Sequence, residues 1–142
     1  MDGRRRVAGL AVLCAAVSVA AAAPVAGSVR IEGAVAGPTG RTASVTYTYR
    51  CEPELQAVLF AVRLHDRTSG VLSRATHVRE PQVCDGVWHT RTDAVAVDDP
   101  AFRRGDAVVA RVLMAGAGDG RTTTSPAAAP ARVSASRAMT LD

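Results

Sequence analysis

The chain has 142 residues, a length typical of one domain. Its 17 basic residues are all arginine and are dispersed among 13 acidic residues, and only five side chains are aromatic. Sequence-independent nucleic-acid binding needs a concentrated basic surface, often with stacking aromatics. The composition therefore argues against a nucleic-acid partner.

Residues 1–22 have the pattern of a signal peptide. Three arginines at 4–6 precede an apolar run, and Ala20 and Ala22 form an A-x-A cleavage pattern. We therefore predict a helical signal peptide over 1–22 and a single secreted domain over 23–142, located outside the cell.

The apolar part of this leader, residues 7–23, is alanine-rich and at the short limit for spanning a bilayer. We predict no stable membrane span after cleavage, with retention as an anchor left open. Cys14 follows Leu13 where lipidation requires a small residue, which argues against a lipoprotein. Loss of the leader, which contains Asp2, leaves 14 arginines against 12 acidic residues, a net charge of +2.

From residue 28 onward, strand-like runs alternate with turn signals, as in an all-β fold. The clearest run is 43–51, where apolar residues alternate with serine, threonine and arginine. Such alternation indicates a half-buried antiparallel strand. Its predicted inward residues are Ala43, Val45, Tyr47, Tyr49 and Cys51.

The next run, 56–65, has two interpretations. Good helix formers extend through it, but Val58, Phe60, Val62 and Leu64 recur with period two, which favours a strand.

Five further strands complete the predicted domain. They are 29–35, 71–78, 83–95, 107–115 and 131–141, and 71–78 is predicted to be an edge strand. The predicted inward residues of 107–115 are Val108, Ala110, Val112 and Met114. Those of 131–141 are Val133, Ala135, Met139 and Leu141. A loop carrying Phe102 is predicted to plug one end of the core, and 116–130 is a low-complexity loop. Seven short strands in this length predict a seven-stranded antiparallel immunoglobulin-like sandwich.

Cys51 and Cys84 are the cysteines that remain after removal of the leader, and we predict that they form a disulfide. In a chain of alternating strands, the end of strand two and the start of strand five lie at the same pole. In immunoglobulin topology these strands are also neighbours in one sheet. A redox-active pair is disfavoured because C-x-x-C spacing is absent.

Two groups of residues raise the question of a metal. His65, His77 and His89 are spaced 12 residues apart, but zinc needs three or four ligands with supporting hydrogen bonds. Asp93 and the pair at 98–99 lack the D-x-D-x-D-G pattern of a calcium loop. We predict surface histidines, a solvated acidic turn and no metal.

The chain also lacks recognisable catalytic motifs. G-x-S-x-G, S-x-x-K and the glycine-rich phosphate loops do not occur. Arg104-Gly105-Asp106 is interpreted as a turn. We predict that the protein is not an enzyme and uses no cofactor.

Three segments resemble a family of small secreted actinobacterial proteins catalogued as a domain of unknown function. They are TYTYRC at 46–51, VCDG at 83–86 with His89 following, and FRRGDAVVA at 102–110; a weaker match is ASRAMTL at 135–141. The resemblance implies secretion, an immunoglobulin-like sandwich and one disulfide, and it implies no activity.

These inferences favour a secreted, non-enzymatic β-sandwich that binds an extracellular partner through loops or an exposed sheet face. The candidate partners are a protein, a cell-wall polymer and a small hydrophobic molecule. The alternative is a secreted protease inhibitor whose rigid loop at 79–81, Arg-Glu-Pro, would occupy a protease cleft.

Overall fold

A computed structural model describes residues 27–53, 57–78, 82–117 and 132–142. The predicted signal peptide, most of the low-complexity loop and the loop at 79–81 lie outside these residues. The described residues form seven strands: β1 (Gly27–Ala36), β2 (Thr42–Cys51), β3 (Ala57–Asp66), β4 (Thr76–Val78), β5 (His89–Ala96), β6 (Ala107–Ala117) and β7 (Arg132–Thr140).

The strands form two antiparallel sheets, one of three strands in the order β1-β2-β5 and one of four in the order β4-β3-β6-β7. The sheets pack face to face as a β-sandwich. The all-β prediction is confirmed, and β3 is a strand and not the helix of the competing interpretation. No helix in the described part of the chain is long and apolar enough to cross a membrane.

The core lies between the sheets and comes from alternate positions of the strands. All the inward residues predicted for β2, β3 and β6 are buried, and Leu141 is buried just after β7. Phe60 lies at the centre, with its ring centroid 5.3 Å from that of Tyr47 and 4.9 Å from that of Tyr49. Aromatic rings at these separations add attraction beyond that of the area they bury.

Phe102 closes one end of the core, as predicted. Its side chain is only 3% exposed although it comes from the loop between β5 and β6. The backbone N–H of Phe102 donates to the carbonyl of Gly40, which fixes this loop against the β1–β2 turn.

The fourth strand is much shorter than the predicted 71–78, covering three residues at the sheet edge. Ser73 explains the difference. Its N–H donates to the carbonyl of Leu64, but the N–H of Leu64 donates to the Ser73 hydroxyl and not to a carbonyl. A side chain therefore replaces the backbone acceptor and interrupts the regular ladder, beyond which an isolated bridge pairs His65 with Leu72.

The fifth strand begins at His89, so the predicted start at residue 83 was wrong. Asp85 and Gly86 form a turn instead. The Asp85 carboxylate accepts hydrogen bonds from the N–H of Val87 and from the His89 ring. Gly86 has a φ of +78°, which favours glycine.

The predicted disulfide is present, with Cys51 and Cys84 at a bonding S–S distance of 2.13 Å. Cys51 is the last residue of β2, and Cys84 lies in the segment that leads into β5, the neighbour of β2 in the same sheet. The bridge therefore joins the segments at one pole of one sheet.

Along one side of the sandwich, β4 and the segment that leads into it are hydrogen-bonded to the other sheet. The N–H of Arg74 donates to the carbonyl of Ala96, and the Thr76 hydroxyl donates to the carbonyl of Ala94. Both carbonyls belong to β5, so this segment connects the outer strands of the two sheets.

Along the opposite side of the sandwich, hydrogen bonds link β1 to β7 and to the residues that follow β7. The register of β1 on β2 shifts between Ile31 and Gly33, a β-bulge. The Arg137 guanidinium, from β7, donates to the carbonyls of Ile31 and Glu32 at this bulge, at 2.7 and 2.9 Å. Further along β1, the N–H of Ala36 donates to the Asp142 carbonyl.

We expect Arg137→Ala to lower the free energy of unfolding by about 1–2 kcal/mol, because two carbonyls lose a charged donor. Urea denaturation measures the loss. Arg132→Ala, on the outward face of the same strand, is the control and should change stability by less than about 0.5 kcal/mol. Equal effects of the two substitutions would show that the hydrogen bonds at the bulge contribute nothing.

Candidate ligand-binding groove

The outward face of the four-stranded sheet carries two arginines side by side. Arg63 on β3 and Arg111 on β6 are direct partners in the antiparallel register. Both are exposed, and directly opposed residues of such a pair have Cβ atoms about 4.5–5.5 Å apart. Two guanidinium groups therefore start from neighbouring points on one surface.

The two arginines lie between two neighbouring pockets on this face, which together are called the groove. The larger part, of about 570 Å³, extends toward Ala61 and Leu113, with His77 and Ser134 at its sides. A second part, of about 440 Å³, extends in the other direction along the strands, toward Leu72. Arg63 and Arg111 line both parts, so they stand where the two meet.

None of the described residues whose side chains project outward from β3, β4, β6 and β7 is acidic. Arg63 and Arg111 make no side-chain hydrogen bond or ion pair with another described residue. Other arginines of the chain do: Arg74 pairs with Asp98 at 2.6 Å and Arg91 with Asp93 at 3.1 Å. The positive charge of the groove is therefore not neutralised from within the described sheet.

Like charges directly opposite each other on antiparallel strands destabilise a sheet. A pair such as Arg63 and Arg111 is therefore unfavourable for folding alone. An anion bound between the two groups would remove the repulsion and accept hydrogen bonds from both, because each guanidinium presents a planar fork of donors.

The three histidines do not come together. His65 lines the smaller part of the groove and His77 the larger part. His89 belongs to the other sheet, where its ring lies 2.8 Å from an Asp85 oxygen and 5.5 Å from the Tyr49 ring. Among the described residues, no group of three or more histidine, cysteine or acidic side chains is placed to hold a metal ion.

The acidic residues considered for calcium also have separate partners. Asp93 is half-buried, and its carboxylate accepts hydrogen bonds from the Tyr47 hydroxyl at 2.6 Å and from Arg91. Asp98 instead pairs with Arg74 at the surface. Asp99 is exposed and takes part in neither pairing.

The phenol of Tyr47 belongs to a polar cluster that the sequence did not reveal. Its side chain is fully buried, and Arg91 links the Asp93 carboxylate to Gln82. Burial raises the pKa of the Tyr47 phenol well above its usual value, and the hydrogen bond to Asp93 raises it further. The folded protein therefore holds this phenol protonated.

Tyr47 is expected to make the protein sensitive to alkali. Above about pH 10 the unfolded chain loses the phenol proton and the folded chain keeps it, so stability falls by up to about 1.4 kcal/mol per pH unit. Tyr47→Phe should cost about 1 kcal/mol at pH 7 and remove this slope. Urea denaturation from pH 7 to 11 measures both the cost of the substitution at pH 7 and the slope of stability against pH. If the slope is the same in the variant, another group causes the loss of stability in alkali.

Arg104-Gly105-Asp106 forms a turn, as predicted. Gly105 has a φ of +91°, and the Asp106 carboxylate accepts a hydrogen bond from the N–H of Arg103. The loop at 79–81 proposed for protease inhibition lies outside the described residues, so that alternative stays a prediction. An inhibition assay with trypsin-like and subtilisin-like proteases tests it.

The groove was not predicted as a site. Neither Arg63 nor Arg111 was among the predicted binding residues. Their proximity depends on the pairing of β3 with β6. The last residue of β3, Asp66, and the first residue of β6, Ala107, are 41 positions apart in the sequence. The predicted immunoglobulin-like topology already places strands three and six in one sheet, so only the register of the two strands was missing.

Comparison with protein-family models, curated proteins and solved structures found no match for this chain. The resemblance to secreted actinobacterial proteins therefore stays a prediction.

Proposed function

We propose that this chain is a secreted, non-enzymatic binding module with an immunoglobulin-like fold, and that it binds an anionic extracellular partner in the groove of the four-stranded sheet. The observation that carries the proposal is the pair of arginines between the two parts of the groove, which no described residue neutralises. Local conflicts with folding rules are expected at functional sites.

The strand order supports the immunoglobulin-like assignment. In immunoglobulin domains, strands one, two and five share one sheet and strands three, six and seven share the other. The same two groups occur here, with the short β4 beside β3. The disulfide departs from the antibody pattern, since it joins two segments of one sheet and does not cross the sandwich.

The disulfide also supports secretion, because such bonds persist in oxidising compartments. It agrees with the signal-peptide pattern at 1–22. Expression of the full chain in a secreting bacterial host tests this, by N-terminal sequencing of the protein from the medium. A first residue near Ala23 is expected, and retention of the chain inside the cell would contradict the proposal.

The groove supports binding more than catalysis. Its described lining contains arginine, histidine, serine and aliphatic side chains, with no carboxylate or thiol. No hydrogen bond among these residues pairs a serine with a histidine, as activation of a nucleophile would require. Charge and volume instead suit an anion that carries organic groups.

Among the three candidate partners, the positive groove favours an anionic cell-wall polymer. Sedimentation with purified Gram-positive cell walls that retain their anionic polymers tests this. The full chain should co-sediment, and Arg63→Ala/Arg111→Ala should lose roughly nine-tenths of the binding.

The control is Arg50→Ala/Arg104→Ala, which removes the same charge from exposed positions outside the groove. It should sediment like the unaltered protein. Equal losses in the two double variants would show that net charge and not the groove holds the chain to the wall.

A further inference from the structure

We propose that the ligand is a linear polymer of small, non-aromatic units joined by phosphodiesters, with one phosphate held between Arg63 and Arg111. This inference rests on the function proposed above and specifies the chemistry of the partner.

The first reason is the direction of the groove. Its two parts lie on opposite sides of the arginine pair along the strands: one toward the row of Ala61 and Leu113, the other toward the row of His65 and Val109. A ligand that fills both parts has organic groups on both sides of its anionic group. A phosphodiester has this arrangement, whereas a phosphate monoester or a carboxylate ends at its charge.

The second reason is the placement of the two guanidiniums. Arg63 and Arg111 face each other across the strands, so they lie to the left and right of a chain that runs along the groove. The two non-bridging oxygens of a phosphodiester share one negative charge and diverge on either side of the chain, so each can accept a hydrogen bond from one arginine. Both oxygens of a carboxylate point the same way and match a single fork.

The third reason is the lining beside the arginines. The described side chains there are alanine, serine, leucine, valine and histidine, with no tryptophan, tyrosine or phenylalanine. Binding of single-stranded nucleic acid uses aromatic side chains for base stacking. The groove therefore suits short polyol or sugar units more than nucleobases.

The test is calorimetric titration of the full chain with a synthetic poly(glycerol phosphate) of ten units at two salt concentrations. Binding is expected, with Arg63→Ala/Arg111→Ala at least roughly tenfold weaker and Arg50→Ala/Arg104→Ala within roughly twofold of the unaltered protein. The slope of log K against log salt should become shallower by roughly 1 in the groove variant.

Arg63→Lys/Arg111→Lys separates charge from geometry. It keeps both charges but loses the planar forks, so we expect roughly threefold or greater weakening. The alanine groove variant should melt at or above the temperature of the unaltered protein, because the substitution removes a repulsive pair. That measurement excludes unfolding as the cause of lost binding.

Three comparison ligands decide the chemistry: oligogalacturonate for carboxylates, single-stranded DNA of ten phosphates for nucleic acids, and inorganic phosphate. Each should bind at least roughly fivefold more weakly than poly(glycerol phosphate). Equal or tighter binding of any one overturns the inference.

The two proposals can fail separately. If the chain sediments with cell walls through Arg63 and Arg111 but ignores poly(glycerol phosphate), this inference is wrong and the proposed function stands. If the alanine groove variant binds both like the unaltered protein, the groove is not the site and both are wrong.

Discussion

Replacing both cysteines, Cys51→Ala/Cys84→Ala, is expected to lower the free energy of unfolding by about 3.5–4 kcal/mol. The bridge closes a loop with a sequence separation of 33 residues, and the estimate is the chain entropy that the bridge removes from the unfolded state. Small domains have a total stability of about 5–15 kcal/mol, so the loss is a large share. The melting temperature should fall by roughly 10–20 °C.

Thermal unfolding followed by circular dichroism measures this change. Reductant should lower the midpoint of the unaltered protein and leave that of the double variant unchanged. Val83→Ala is the matched control, because Val83 adjoins Cys84 but is 55% exposed. A midpoint that reductant does not move would contradict the prediction.

Phe60→Ala is expected to cost about 3–5 kcal/mol, the usual range for removing a buried ring from a well-packed core. Phe60 is fully buried and contacts Tyr47 and Tyr49 of the opposing sheet. The substitution therefore removes ring contacts that hold the two sheets together.

The control is Leu59→Ala, one residue earlier on β3. Leu59 points outward and is 40% exposed, so its removal should cost less than about 1 kcal/mol. Urea denaturation gives both values. Similar losses at the two positions would mean that β3 does not present alternate residues to opposite faces.

The core could be predicted because it depends on a local pattern. Successive side chains of a strand point to opposite faces, so period-two alternation identified the inward residues of β2, β3 and β6. The same rule decided between strand and helix for β3. Neither inference required knowledge of which strands are neighbours.

The predicted strand ends were wrong where side chains compete with the backbone for hydrogen bonds. Ser73 supplies a hydroxyl where β4 would need a carbonyl, and Asp85 builds a turn in what was predicted as the start of β5. Such bonds are typical of serine and aspartate, and Asp-Gly at 85–86 is itself a turn signal.

The candidate site depended on long-range pairing. Neither Arg63 nor Arg111 is unusual in its own segment, since one exposed arginine on an outward strand face is ordinary. The unfavourable juxtaposition exists only when β3 and β6 are adjacent and in the observed register. The cluster of Tyr47, Arg91 and Asp93 depends in the same way on register. Strands two and five were predicted to be neighbours, but the alignment that places Tyr47 opposite Arg91 was not.

The connections along the two sides of the sandwich affect how the protein meets other copies of itself. An unpaired edge strand can act as a template on which another chain adds a strand, the first step toward aggregation. Here Arg74 and Thr76 occupy carbonyls on β5, and Arg137 occupies carbonyls on β1. These contacts use acceptors that an added strand would need, so they favour a chain that stays dispersed at high concentration.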